Sequence, residues 1–130
     1  MMGMRLAVAV LALMMPLPAL AAPCPLPGQK PMLLVKLYFG QSGDARAWDR
    51  FLAGTVTPRF PDGFTVYDAR GQWTDPQTKR LAREATKVIE IAAPDTPQVR
   101  AGLADIARDY RQKFRQHSVG IVTSASCATF

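Results

Sequence analysis

The chain of 130 residues has one histidine, His117, and two cysteines, Cys24 and Cys127. A single histidine, with no carboxylate spaced to join it, offers no metal site. Its place at a helix C-terminus reads as a favourable dipole partner rather than a catalyst. The serines have no histidine in a recognisable arrangement, so no nucleophilic triad is supported. The cysteines do not form Cys-x-x-Cys, which argues against redox catalysis. There is no dense Lys/Arg run and no aromatic-interleaved basic strand, so nucleic acid is not an expected partner. Internal repeats are absent, and nothing in the sequence points to a cofactor.

Long apolar runs are also missing. Leu6–Met15 is uninterrupted for ten residues, too short to span a bilayer as a helix and the right size for the core of a secretory leader. Arg5 supplies the positive end before it. Pro16 and Pro18 break it, and Ala19-Leu20-Ala21 gives a small-x-small cleavage pattern, with the cut expected after Ala21. The alternatives are an uncleaved anchor and a lipidated Cys24; Pro23 directly before that cysteine breaks the lipidation pattern. The expectation is a leader over 1–21, a Pro-rich arm over 22–32 and one domain over 33–130, in a bacterial periplasm or outside the cell, with no transmembrane anchor after cleavage.

Acidic residues are the scarcer charge, 10 against 16 Lys and Arg. The excess favours contact with anionic partners such as lipid headgroups or acidic polysaccharide, or simply keeps the protein in solution. In an oxidising compartment Cys24 and Cys127 allow one intramolecular disulfide.

Along the domain, Leu33–Phe39 reads as a central strand ended by Gly40. Ala45–Val56 reads as a helix capped by Asp44 or Ser42, with Trp48, Phe51, Leu52 and Val56 on one face. Phe64–Ala69 is a second strand, Arg70–Lys79 a polar connection holding Trp73, and Arg83–Ile91 a third strand. Thr96-Pro97 starts a helix in which Val99, Leu103, Ile106, Tyr110 and Phe114 recur at helical steps to about Gln116. Ser118–Ser124 is the fourth strand. The order β-α-β-β-α-β predicts an α+β, ferredoxin-like fold: a four-stranded antiparallel sheet, spatial order 4-1-3-2, with both helices on one face. That topology brings Cys24 and Cys127 to the same end of the sheet.

A sheet covered on one face leaves the other for water, a ligand or a second subunit. By the two-residue period, Lys36 and Tyr38 share a face of strand one, and Glu84, Thr86, Val88 and Glu90 share a face of strand three. Those two sets are expected on the open side, where Lys36 and a glutamate form a cross-strand ion pair or hold a polar ligand. Lys87 then falls awkwardly on the covered side, unless a bulge intervenes.

Several stretches form a further pattern: Lys36–Gly40, Trp48-x-x-Phe51, Thr57-Pro58-Arg59-Phe60-Pro61-Asp62-Gly63-Phe64, Gly71-Gln72-Trp73, Arg83-Glu84-x-Thr86-Lys87-Val88, and Tyr110-x-x-x-Phe114-x-Gln116-x-Ser118-Val119. Over roughly residues 33–130 this resembles the bacterial domain-of-unknown-function family 3574. The resemblance implies an exported protein and no known reaction. It highlights Arg59, Glu84, Thr86, Lys87, Gln116 and Ser118, with Thr86 where a serine is typical. These six, with Lys36 and Tyr38, are the candidate ligand-binding residues, expected to converge on a pocket near the sheet or else to cap helices and satisfy backbone. The expected function is a binding or accessory protein of the cell envelope, acting on a small ligand or an envelope component. The alternatives are an enzyme of the dimeric α/β-barrel type, homodimeric through the open sheet face, and a purely structural envelope factor.

Overall fold

The computed structural model describes residues 23–40 and 43–130; the leader, its cleavage site and Ser42 as a possible cap lie outside the described residues. The elements run β1 (Lys30–Gly40), α1 (Ala45–Phe51), a π-helical turn (Leu52–Val56), β2 (Thr65–Thr74), β3 (Leu81–Ala93), α2 (Pro97–Phe114) and β4 (Gly120–Ala128). The strands form one antiparallel sheet in the order β2-β3-β1-β4, the ferredoxin-like arrangement.

Alternation along the strands builds the core. Val35, Leu37 and Phe39 on β1 and Ile89, Ile91 and Ala93 on β3 turn toward the helices, which contribute Trp48, Phe51, Leu103, Ile106 and Tyr110. Phe39, Trp48, Phe51 and Tyr110 meet largely edge to face, with Phe39 and Tyr110 centroids 4.6 Å apart, the geometry that ring quadrupoles favour. Asp44 caps α1 by accepting from the Ala47 N–H at 2.7 Å. Thr96 caps α2 through the Val99 N–H.

Several boundaries differ from expectation, and four of the differences have a plain physical reason. β1 starts at Lys30, inside the Pro-rich arm. Lys30–Met32 pair with β4 alone, because β3 joins only at Leu33. Pro31 is therefore at an edge, where its missing N–H costs no ladder bond. β4 correspondingly starts two residues later than expected and runs on to Ala128. The first helix ends in the π turn, with the Thr57 N–H reaching the Leu52 carbonyl; the wider winding brings Val56 into the core. The largest difference is Arg70–Thr74, expected as a connection. It continues β2, paired from Arg70↔Ala85 to Thr74↔Leu81. Backbone pairing needs no apolar side chains, so a polar strand beyond the core leaves no periodic signal.

Pairing of Pro31 with Cys127 brings the arm to the end of β4, and Cys24 and Cys127 form a disulfide with Cα atoms 5.7 Å apart. It spans a sequence separation of 103. Replacing both cysteines by serine is expected to lower the unfolding free energy by roughly 2–4 kcal/mol, through lost constraint on the unfolded chain. Urea denaturation of the two forms checks this; equal midpoints would show the bond to be dispensable.

Tyr110 is fully buried, and its hydroxyl donates to the Gly40 carbonyl at 2.8 Å. Burial first, and the Glu84 charge second, push its phenol up to about 12. The folded state thus holds the neutral phenol more firmly than the unfolded chain, where tyrosine ionises near about 10. That stabilisation is whole below about pH 10 and is lost as pH climbs toward about 12. Tyr110→Phe should cost about 1–2 kcal/mol at neutral pH and should show a shallower alkaline loss than the parent, read from denaturation midpoints across that window. An unchanged alkaline slope would place the loss on other groups.

Candidate functional site

The face of the sheet away from the helices carries Lys36 and Tyr38 on β1, Glu84, Thr86, Val88 and Glu90 on β3, and Tyr67 and Trp73 on β2. Lys36 pairs with Glu90, at 3.2 Å, rather than with Glu84. The hydrogen bond and charge of Glu90 hold the Lys36 ammonium above its usual value. Val88 belongs to this face yet is only 1% exposed, because it lies between Tyr38 and Tyr67 in the register.

Past that pair of tyrosines the face sinks. Tyr38 stands opposite Val88 and Trp73 opposite Ala82; between them the positions flanking Thr86 and Glu84 are Gly40, Ala69 and Gly71. Gly40 and Gly71, with Gly120 on β4, line the cleft of about 560 Å3 that lies here. Its floor is glycine backbone, and Tyr38 and Trp73 stand at its two ends. The remaining wall comes from the chain leaving α2. Arg115 ends that helix in the left-handed region, at φ 53°, a conformation that costs a non-glycine residue roughly 1–2 kcal/mol. The reversal brings Gln116, His117 and Ser118 to the cleft.

Glu84 is the charged group at its base. Its carboxylate lies over Gly40, where a methyl group would overlap it, and its stem passes beside Gly71. Among the described residues it makes no ion pair and accepts no hydrogen bond. Thr86 stands next to it, its hydroxyl 2.8 Å from where a side chain on Gly71 would begin. A half-buried carboxylate without a partner, walled by aromatics and floored by glycine, is suited to accept hydrogen bonds from a small ligand.

Of the eight candidate residues, the structure brings Tyr38, Glu84, Thr86, Gln116 and Ser118 to this cleft. Lys36 shares the face but is engaged with Glu90. Lys87 lies on the helix side, opposite Phe39, in an unbulged strand; its ammonium reaches away from the core to Asp68, its neighbour on β2. Arg59 is in the helical layer, donating to the Thr55 carbonyl at 2.7 Å and pairing with Asp109 at 3.2 Å, so it joins the first helix to α2 and does not reach the sheet face. Sequence reasoning assigned no site role to Gly40, Gly71, Gly120 or His117. Gly40 falls on the open face by the same two-residue period that selected Tyr38, which was its signal; Gly71 lies in a segment with no such signal.

A second cleft, of about 590 Å3, lies at the disulfide end, lined by Asp62, Glu90 and Phe130 among others. Its Glu90 is already paired with Lys36, and its Asp62 is exposed to solvent rather than set into the floor. Among the described residues no group of three His, Cys, Asp or Glu side chains is placed to hold a metal ion.

The family match covers residues 35–130. The chain belongs to the DUF3574 family of proteins of unknown function. For this DUF3574 domain no curated protein is detectably similar. Solved structures share its fold. A phage SAM lyase in complex with S-methyl-5'-thioadenosine is 13% identical, aligned over 76% of this chain and 90% of that one, with a TM-score of 0.58. A phage SAM lyase in the apo state is 13% identical over 85% and 97%, with a TM-score of 0.54. CPII, a nitrogen regulatory PII-like protein from Thiomonas intermedia K12, is 16% identical over 78% and 97%, with a TM-score of 0.49. At 13% identity the likeness to the two lyases is one of fold alone.

The clash at position 40 involves only the far end of the flexible Glu84 side chain. Gly40→Ala is therefore expected to fold with a stability loss under about 1 kcal/mol while swinging the carboxylate away. Gly71→Ala meets the short Thr86 side chain, which has less room to move, and should cost about 1–3 kcal/mol. Thermal unfolding of both variants checks the order; a larger loss at 40 than at 71 would mean the carboxylate is fixed.

Proposed function

We propose that this DUF3574 protein is an exported, soluble small-molecule-binding protein of the cell envelope and that the Glu84 cleft is its site. The observation that carries the reading is the unpartnered Glu84 carboxylate held over Gly40, with Thr86, Gln116 and Ser118 around it. An ionised carboxylate only accepts hydrogen bonds, so the ligand presents N–H or O–H groups there. Tyr38 and Trp73, 39% and 44% exposed, offer apolar faces at the cleft ends. Export rests on the Arg5 and Leu6–Met15 leader pattern and agrees with the disulfide. No helix among the described residues is long and apolar enough to cross a membrane.

An enzyme of the dimeric α/β-barrel type is the second reading. Tyr67 and Val122, 40% and 55% exposed on the open face, favour it, since a second sheet would cover them and close the cleft.

Native mass spectrometry of the full-length gene product purified from periplasm separates these readings. A monomer trimmed near Ala21, oxidised and carrying a small-molecule increment supports a binding protein; a dimer supports the barrel enzyme. Glu84→Gln is expected to weaken ligand retention roughly ten- to hundredfold, the effect of losing a charge-assisted hydrogen bond. The proposal fails if neither form retains a ligand and a thermal-shift panel of amines, guanidines and adenine nucleosides, S-methyl-5'-thioadenosine included, distinguishes no compound by its dependence on Glu84.

A further inference from the structure

β3 has β1 as a neighbour only from Thr86 onward, whereas β2 accompanies it from Leu81. Residues 70–85 therefore leave the four-stranded body as a two-stranded ribbon, extending it by about 17 Å at the usual rise per residue. The turn at its end is firmly built. Asp75 Oδ1 accepts from the N–H groups of Gln77 and Thr78 at 2.7 and 2.8 Å, and the Asp75 N–H meets the Arg80 carbonyl at 2.9 Å.

The side chains on this ribbon are of two kinds. Arg70, Lys79, Arg80 and Arg83 are cationic, and among the described residues none of them is in an ion pair; Arg83 donates only to Gln72. The acidic residues over the same stretch are two, Asp75 in the tip turn, held ionised by backbone N–H groups, and Glu84 back in the cleft, so cations outnumber anions four to two. Trp73 and Leu81 are 44% and 50% exposed. They flank the last rung of the ladder and point to opposite faces, because Trp73 lies opposite Ala82 and Leu81 opposite Thr74. Two large apolar groups on opposite sides of a narrow tip, ringed by free cations, suit end-on entry into a charged interface. Tryptophan favours the boundary between headgroups and acyl chains, an aliphatic group gains from burial just below it, and each cation gains from anionic headgroups. A flat protein partner would cover one side only, and a soluble polyanion would leave Leu81 in water.

We propose that the tip of the β2–β3 ribbon is a docking surface for anionic lipid headgroups. The inference does not rest on the ligand cleft, although Trp73 borders both.

The test is flotation of the mature full-length protein with vesicles of phosphatidylcholine alone and of phosphatidylcholine mixed with phosphatidylglycerol. The expected result is binding to the mixed vesicles only, weakening as salt is raised. Bound protein should show blue-shifted Trp73 emission that vanishes in Trp73→Phe, since Trp48 is 4% exposed and already shielded. Lys79→Gln with Arg80→Gln should lower vesicle partition roughly tenfold or more. Leu81→Ser should lower it with folding intact by circular dichroism. Arg100→Gln, in the first turn of α2 and paired with Asp95, should bind as the parent does. Equal binding to both vesicle types, binding to soluble polygalacturonate but not to vesicles, or no binding at all would each overturn the proposal.

Discussion

One uninterrupted alternation along β3 governs this molecule. Its residues pair one for one with β1 on one side and β2 on the other, with no bulge from Leu81 to Ala93. A single slip would exchange the two faces. In the observed register Ile89 and Ile91 enter the helix-side core, while Glu84, Thr86 and Glu90 stay on the face the helices leave uncovered. The same strand outlasts β1 and so carries the ribbon. Core, cleft and projecting tip are thus three stretches of one strand, distinguished by what lies beside each.

The legible part of the fold was the part that burial writes into the sequence. The helical steps from Val99 to Phe114, the apolar run of β1 and the order of elements gave the topology, and the topology put the two cysteines at one end. Parity alone sorted Lys36, Tyr38, Glu84 and Glu90 onto one face and left Lys87 on the other. Lys87 looked misplaced because its partner comes from the neighbouring strand: the stem lies on the helix side and the ammonium finds Asp68 on β2. Arg70–Thr74 was illegible as a strand for the complementary reason, since a ribbon in solvent has no face to keep apolar. Arg59 shows the limit of motif reasoning. Its place in a distinctive Pro-Arg-Phe-Pro run suggested a pocket, but its guanidinium joins two helical segments.

The cleft was half legible. Its polar groups stood out, whereas its concavity depends on what is missing. Gly40 and Gly71 come from two strands and become neighbours only through β3, so no local window of sequence displays them together. Gln116 and Ser118 arrive by another route, the left-handed turn at Arg115, which no glycine or asparagine announces.

Gly40 joins the hydrophobic core to the candidate site. Its carbonyl accepts from the buried Tyr110 hydroxyl, and its absent side chain leaves the space that the Glu84 carboxylate fills. The aromatic cluster fixes the Tyr110 ring against Phe39 and Phe114, Tyr110 fixes the end of β1, and that end sets the room available to Glu84. The influence of Glu84 on the Tyr110 phenol is the electrostatic trace of the same proximity. Site and core are coupled here through one backbone residue, and a change in packing around Tyr110 would reach the carboxylate without touching any residue that lines the cleft.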